Sequence, residues 1–163
     1  MAQVDYFLKV DGVDGESADD KFKGYIELQS FNFGVENIGS LGSGTSGGGT
    51  GKAKFGEFNI VKATDKSSAR LFASCCTGEH FATATIVCRK AGKDQQEFLK
   101  ITMGPVLISS YQHGGSANSD IIPTEQISIN FAKIEMEYKE QKLDGSLGGA
   151  VIGGWDRVAN KKV

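Results

Sequence analysis

The sequence lacks a charge excess of either sign. Its 18 Lys and Arg face 20 Asp and Glu, giving a formal net charge of −2 and a pI near 5.7. A nucleic-acid-binding chain would carry a strong basic excess and a membrane-surface protein a polybasic patch, so both classes are set aside. Cysteine is scarce and odd in number: three residues, with Cys75 and Cys76 adjacent, do not make a disulfide framework and point to folding in a reducing cytoplasm. No apolar run is long enough to cross a bilayer. The stretch Met1 to Val10 carries Asp5 and Lys9 where the apolar centre of a signal peptide would sit, so neither a cleavable leader nor membrane insertion is expected. A single Trp leaves little material for an aromatic-lined ligand pocket. Proline is held to 2 residues beside 22 glycines, and most of the glycine excess falls in loops between β-patterned runs.

What is present is alternation. With 39 % hydrophobic and 23 % charged residues the chain has the composition of a folded protein, and 163 residues suffice for one domain spanning 1–163. Val4, Tyr6, Leu8 and Val10 alternate with Asp5, Phe7 and Lys9, the period of a strand whose second face is partly covered at Phe7. Further on, Ile26 and Leu28 occupy even positions, whereas Phe31, Phe33 and Val35 occupy odd ones. The same slip recurs near the end: Ile127, Ile129 and Phe131 are odd, and Ile134, Met136 and Tyr138 are even. A strand that exchanges its apolar face must carry a bulge or pass from one sheet to another, and both point to a curved, barrel-like sheet. If Phe31 and Phe33 point into the core, Asn32 faces away from it and is free for a polar functional surface.

A hairpin is expected from Ala84, Ile86 and Cys88 through a turn at residues 91–94 to Leu99, Ile101 and Met103. One helix is expected after Asp65, capped by Ser68 and ended by Gly78, with Leu71, Phe72, Cys75 and Cys76 on its packed side. The fold class is therefore all-β, a partly open β-barrel of two packed sheets with one short side helix and a long glycine-rich loop. That loop runs through Gly39, Ser40, Leu41, Gly42, Ser43, Gly44, Thr45, Ser46, Gly47, Gly48, Gly49, Thr50 and Gly51, with no apolar period.

The sequence offers little chemistry. Gly42, Gly44 and Gly47 spell a G-x-G-x-x-G, but no helix pattern follows, so the match is compositional and no nucleotide cofactor is implied. The Walker pattern fails because Ser46 stands where its first glycine belongs and Ala53 follows Lys52. In residues 11–17, Val13 occupies the third position of what would be a calcium loop. His80 and His113 have no carboxylate or cysteine at metal-ligand spacing, and both read as loop residues. Cys75 or Cys76 with His80 would make a thiol hydrolase only with an orienting acid and an oxyanion hole, neither of which the sequence places. No catalytic residue, metal or cofactor is expected. The polar strand faces and the glycine loop read as surfaces for other proteins.

At Gly12-Val-Asp-Gly-Glu-Ser17, Arg89-Lys-Ala-Gly92, Leu99-Lys-Ile-Thr-Met103, Asn130-Phe-Ala-Lys133 and Gly153-Gly-Trp-Asp156, in that order, the chain resembles the haemolysin-coregulated protein (Hcp) family of the type VI secretion system. The resemblance runs from about Val4 to the ending Ala159-Asn-Lys-Lys-Val163. It implies a homohexameric ring stacked into a hollow inner tube, with sheath, spike and small effector proteins as partners. It also implies synthesis in the bacterial cytoplasm and export by the machine without a signal peptide. The family's usual Trp-Ser-Trp is here Phe31-Asn-Phe33, which places Asn32 in the lumen against cargo, and the loop from Gly39 to Gly51 matches one that reaches a neighbouring subunit or ring. Departures fall at Gly104-Pro105, where acidic residues are common, and at Ile121-Ile-Pro123, where a charged Asp-Arg-Leu-like run is common. The alternative is a monomeric β-barrel binding a small ligand or glycan.

Overall fold

In the computed structural model, which describes residues 4–39, 51–90 and 95–163, the alternating runs become antiparallel strands. The elements in chain order begin with β1 (Val4–Val10), β2 (Ile26–Leu28), β3 (Ser30–Asn32), β4 (Val35–Glu36), β5 (Lys54–Phe55) and β6 (Phe58–Ala63). The helix α1 (Ser68–Thr77) follows, then β7 (His80–Phe81), β8 (Ala84–Lys90), β9 (Glu97–Met103) and β10 (Val106–Gly114). The chain closes with β11 (Thr124–Phe131), β12 (Lys133–Gln141), β13 (Leu147–Asp156) and β14 (Lys161–Lys162). A seven-stranded sheet has the order β14-β13-β12-β9-β8-β1-β2, a five-stranded sheet the order β3-β6-β11-β10-β7, and β4 pairs with β5 as a separate ribbon. The two large sheets enclose the core without closing into a barrel. The expected β8–β9 hairpin is present, while its turn, residues 91–94, lies outside the described residues.

Both slips in the apolar pattern are passages between sheets. The chain leaves the seven-stranded sheet after Leu28 and enters the five-stranded one at Ser30; it returns after Phe131 and re-enters the larger sheet at Lys133. Each passage inserts a residue that belongs to neither ladder, Gln29 or Ala132, and a one-residue insertion reverses which parity points inward. The corner residues still place their amides: Gln29 N–H donates to the Val61 carbonyl at 2.8 Å and Ala132 N–H to the Pro105 carbonyl at 3.1 Å. Beside them β9 passes into β10 through Gly104 and Pro105, and Gly104 N–H donates to the Lys133 carbonyl at 3.0 Å. Thus β9–β10 and β11–β12 round one corner as a hydrogen-bonded pair.

The core lies between the sheets. Leu8, Ile26, Ile86, Ile101 and Met103 from one side meet Phe58, Ile60, Ile108, Ile127, Ile129 and Phe131 from the other, all buried. A second cluster covers the outer face of the larger sheet, where Phe22 stacks on Phe7 at 4.7 Å beside Val87. The Arg89 guanidinium stands over both rings at 4.9 and 5.4 Å, and its Nη2 donates to Asp5 at 3.0 Å and Asp19 at 2.7 Å. Arg89 thus fastens the segment between β1 and β2 across the sheet.

The helix departs from expectation in its faces. Gly78 ends it in the left-handed conformation at φ 71°, and its N–H donates to the Ser74 carbonyl, as an αL stop requires. Ser67, not Ser68, holds the N-cap position, and it makes no capping side-chain bond. The buried side is Ser68, Leu71 and Ser74, with Cys75 packed against the core, whereas Phe72 and Cys76 are exposed. The small serines allow close approach to the sheet, so the packed stripe is displaced from the one that hydrophobicity alone selects.

Ser68 is buried because it completes an ionic cluster beneath the helix. Lys62 on β6 and Glu125 on β11 are directly paired in register, face inward and are fully buried. Lys62 Nζ donates to the Glu125 carboxylate, to Asp65 Oδ1 at 3.0 Å, to Ser68 Oγ at 3.1 Å and to the Ala63 carbonyl at 3.0 Å. Tyr111 donates its hydroxyl to the other Glu125 oxygen. Burial pushes the Glu125 carboxyl up, and the bonds from Lys62 and Tyr111 more than offset this, leaving it below the usual glutamate value.

Two outcomes follow for stability. Lys62→Met strands the buried carboxylate and is expected to cost about 3–5 kcal/mol, whereas Lys62→Met with Glu125→Leu recovers most of that loss, read as urea midpoints. The bond from Arg89 holds Asp19 down at about 2, from an ordinary value of 3.8. A depressed folded pKa stabilises above the unfolded pKa and ceases to do so as pH falls through the folded one. The wild-type chain should therefore lose stability between about pH 4 and 2 more steeply than Asp19→Asn, measured by denaturation across that range.

Candidate functional site

The face of the five-stranded sheet that points away from the core is polar yet carries no formal charge along its centre. Strand register builds it as cross-strand rows. Asn32 lies opposite Asn59, Asn59 opposite Ser128, and Ser128 opposite Ser110; in the next row Ser30, Val61, Gln126 and Gln112 follow one another. Each residue alternates with a core side chain, as Asn59 does between Phe58 and Ile60, so the sequence that packs the interior also builds this exterior. Asn59 Nδ2 donates to Asn32 Oδ1 at 3.0 Å and Ser128 Oγ donates to Asn59 Oδ1 at 2.7 Å. The result is a hydrogen-bonded ladder of amides and hydroxyls over a shallow depression of about 370 Å3. A surface of this kind offers donors and acceptors without electrostatic preference for either sign of charge.

The position singled out in the sequence, Asn32, is at the exposed end of this ladder and faces away from the core as the alternation requires. Phe31 and Phe33 both stack on Phe58, at 5.6 and 5.2 Å. Asn59, Ser110, Gln112, Gln126 and Ser128 were not singled out; the apolar residues flanking them carry the signal, since each is the outward member of an alternating pair.

Of the glycine loop, Gly39 and Gly51 are described, and residues 40–50 lie outside the described residues. The loop stands on the β4–β5 ribbon, where Val35 pairs with Phe55 and Glu36 with Lys54. Its two arms run close together: a Cβ at Gly51 would stand 2.6 Å from the Ile38 carbonyl oxygen. Glycine is required there for close approach.

A second surface lies on the larger sheet. Ile134, Met136 and Tyr138 share the core-facing side of β12, and register adds Val151 of β13 opposite Tyr138. Only Ile134 is covered. The five-stranded sheet does not reach this end of its partner, so Met136, Tyr138 and Val151 remain 39, 44 and 70 % exposed on a face that elsewhere is interior. The expectation that this run packs the core therefore holds for its first residue alone. On the opposite side of β12, Lys133 is exposed and Glu135 and Glu137 are half-buried.

Among the described residues the thiols and the imidazoles stand on separate elements. Cys76 is exposed, Cys75 half-buried, and burial pushes the Cys88 thiol up to about 12, far from a nucleophile's range. His80 and His113, expected in loops, stand on β7 and β10. His113 Nε2 is 2.7 Å from Thr64 Oγ1 and Nδ1 is 3.4 Å from the Tyr111 hydroxyl. Among the described residues no three His, Cys, Asp or Glu side chains form a metal cluster, and no helix is long and apolar enough to cross a membrane.

Comparison with known proteins places these features. Residues 7–138 match the model of a family described as "Type VI secretion system effector, Hcp". The chain is 39 % identical over 155 residues to Protein hcp1 of Pseudomonas aeruginosa, an alignment covering 94 % of each. Its fold is similar to a solved type six secretion system protein at TM-score 0.93 and 34 % identity, covering 98 % of this chain and 99 % of that one. It is also similar to Hcp1 from Salmonella typhimurium at TM-score 0.81 and 31 % identity, covering 99 and 100 %.

The two faces of β6 give opposite expectations. Asn59→Ala removes two ladder contacts on a solvated surface and should cost no more than about 1 kcal/mol. Its inward neighbour Phe58→Ala should cost about 3–5 kcal/mol; urea midpoints of the two variants measure the difference.

Proposed function

The chain belongs to the Hcp family of type VI secretion proteins, and from that premise we propose that it is a structural subunit of the inner tube. Copies close head to tail into a hexameric ring, and stacked rings make a hollow conduit. The observation that carries this reading is the exposed stretch of sheet at Met136, Tyr138 and Val151, an apolar surface with interior character and no cover among the described residues. Apolar area of this kind favours association, and in a heterologous interface one patch meets a different patch on the neighbour, which closes a ring when the rotation allows.

The uncharged ladder then takes the lumen. A conduit for proteins of varied charge is best lined by groups that neither attract nor repel strongly, and Asn32, Asn59 and Ser128 are such groups. Asn32 contributes to cargo contact, where its amide offers a donor and an acceptor. The loop from Gly39 to Gly51 reaches a neighbouring subunit or the next ring, with its ordering cost met on docking. Sheath, spike and effector proteins are the remaining partners. This role asks for no catalytic residue or cofactor. The subunit is made in the cytoplasm and leaves through the machine that it helps to build.

Tyr138→Asp puts a charge on the uncovered face and should convert ring-sized particles to single chains without loss of the folded signal, read by size-exclusion chromatography with light scattering. A variant that stays fully assembled contradicts the assignment of that face. In intact rings, Asn32→Ala and Asn32→Trp should each change retention of a co-expressed small effector; retention unchanged in both contradicts the lumen role.

A further inference from the structure

The row of polar side chains across β3, β6 and β11 has a direction. Ser128 gives its hydroxyl hydrogen to Asn59 Oδ1 at 2.7 Å, and Asn59 Nδ2 donates to Asn32 Oδ1 at 3.0 Å. Each group passes a hydrogen toward β3, so the two ends of the row differ. At one end Ser128 has spent its single hydrogen and is left as an acceptor. At the other, Asn32 has its oxygen engaged and keeps both amide hydrogens, which meet no acceptor among the described residues.

A primary amide turned half-way round has nearly the same shape, so such a row keeps its direction only if one member admits a single orientation. That member is Asn59. Its second amide hydrogen goes to the Glu57 carbonyl at 3.3 Å. The reversed amide would set Oδ1 against that carbonyl oxygen, two acceptors with no hydrogen between them. Asn59 is also held in place on both sides, since strand register pairs it with Asn32 on β3 and with Ser128 on β11. Asn32 is fixed in turn by Phe31 and Phe33, which flank it in sequence and both stack on Phe58. A backbone carbonyl beside β6 thereby decides which atoms Asn32 shows to solvent. The depression below is lined by no Lys, Arg, Asp or Glu. A charged partner would lose hydration there and gain no counter-charge, whereas a neutral acceptor gains a hydrogen bond.

We propose that Asn59 is a positioning residue for cargo. It turns the Asn32 amide so that its N–H groups face outward, and the cargo group met there is a neutral hydrogen-bond acceptor, a carbonyl oxygen of an exposed loop or strand edge. The proposal rests on the lumen reading and deepens it by naming the chemistry that the surface recognises. Backbone fits both ends of the row. Ser128 lies two strand spacings from Asn32, roughly 10 Å, and its oxygen accepts from an N–H of the same cargo segment. Selection then acts through the sense of the hydrogen bond, and the charge of the cargo has little part in it.

The test uses intact rings and, as probe, one small effector protein that wild-type rings retain on co-expression. Asn59→Asp keeps the shape of the side chain and still accepts from Ser128, but it has no hydrogen for Asn32, whose amide then turns its N–H groups inward. Retention should fall about fivefold. Asn59→Ala leaves the Asn32 amide free to take either orientation, and retention should fall only about twofold. A merely structural role reverses that order, because the alanine removes more of the side chain. The loss in Asn59→Asp should also persist at about 1 M NaCl, where screening acts beyond about 3 Å; a loss that disappears there belongs to the added charge and overturns the proposal. Retention that is lost in Asn32→Ala but kept in both Asn59 variants overturns the role of Asn59 and leaves the lumen reading intact. Retention unchanged in Asn32→Ala and Asn32→Trp overturns the lumen reading and this proposal with it. Independently of cargo, a wild-type crystal structure at atomic resolution should show Asn32 Oδ1 against Asn59, and Oδ1 turned outward instead overturns the proposal.

Discussion

The structure depends on what happens at Ala132. A strand has two faces and a strict alternation between them, so a chain that must serve two sheets facing each other has to exchange inward and outward parity where it crosses. One residue outside both ladders does this, and the crossing is held by amides that still find partners, Ala132 on Pro105 and Gly104 on Lys133. The same device operates at Gln29. Because β11 and β12 are continuous through the corner, the two sheets are fixed relative to each other by covalent chain and not only by packing.

From that constraint the two surfaces follow. The sheets are unequal, seven strands against five, so the inner face of the larger one overruns its partner, and the apolar residues that continue the core pattern on β12 and β13 are left exposed among the described residues. The smaller sheet, with its interior filled by Phe58, Ile127 and Ile129, turns a ladder of amides and hydroxyls outward. One fold thus presents both an exposed apolar stretch of sheet and an uncharged polar one. The ionic cluster of Lys62 and Glu125 ties the three central strands of this sheet, β6, β11 and β10, to Ser68 of the helix.

Much of this was legible in the chain. The parity slips at Ile26 to Phe31 and Phe131 to Ile134 located both irregularities, with a bulge or a sheet crossing equally open, and the outward direction of Asn32 followed from its phenylalanine neighbours. Alternation reports which side of a strand a residue occupies, but not whether another sheet lies over that side. Met136 and Tyr138 therefore read like Ile134, although the partner sheet ends before them. The helix misled for a related reason: Ser68 and Ser74 are buried because they are small and bonded, which hydrophobic periodicity does not register, and Phe72 and Cys76 were assigned inside instead. Lys62 was invisible because a lysine in an alternating strand is ordinarily outward, and its partner is 63 residues away.

Large apolar side chains left uncovered and a polar face free of charge fit the proposed role, in which one subunit is only part of a wall. The most direct measurement is imaging of the purified wild-type chain by electron microscopy, with native mass spectrometry on the same preparation. The account predicts hexameric rings with a central opening, alone or stacked along their axis. A homogeneous population of single folded chains at all accessible concentrations would contradict it.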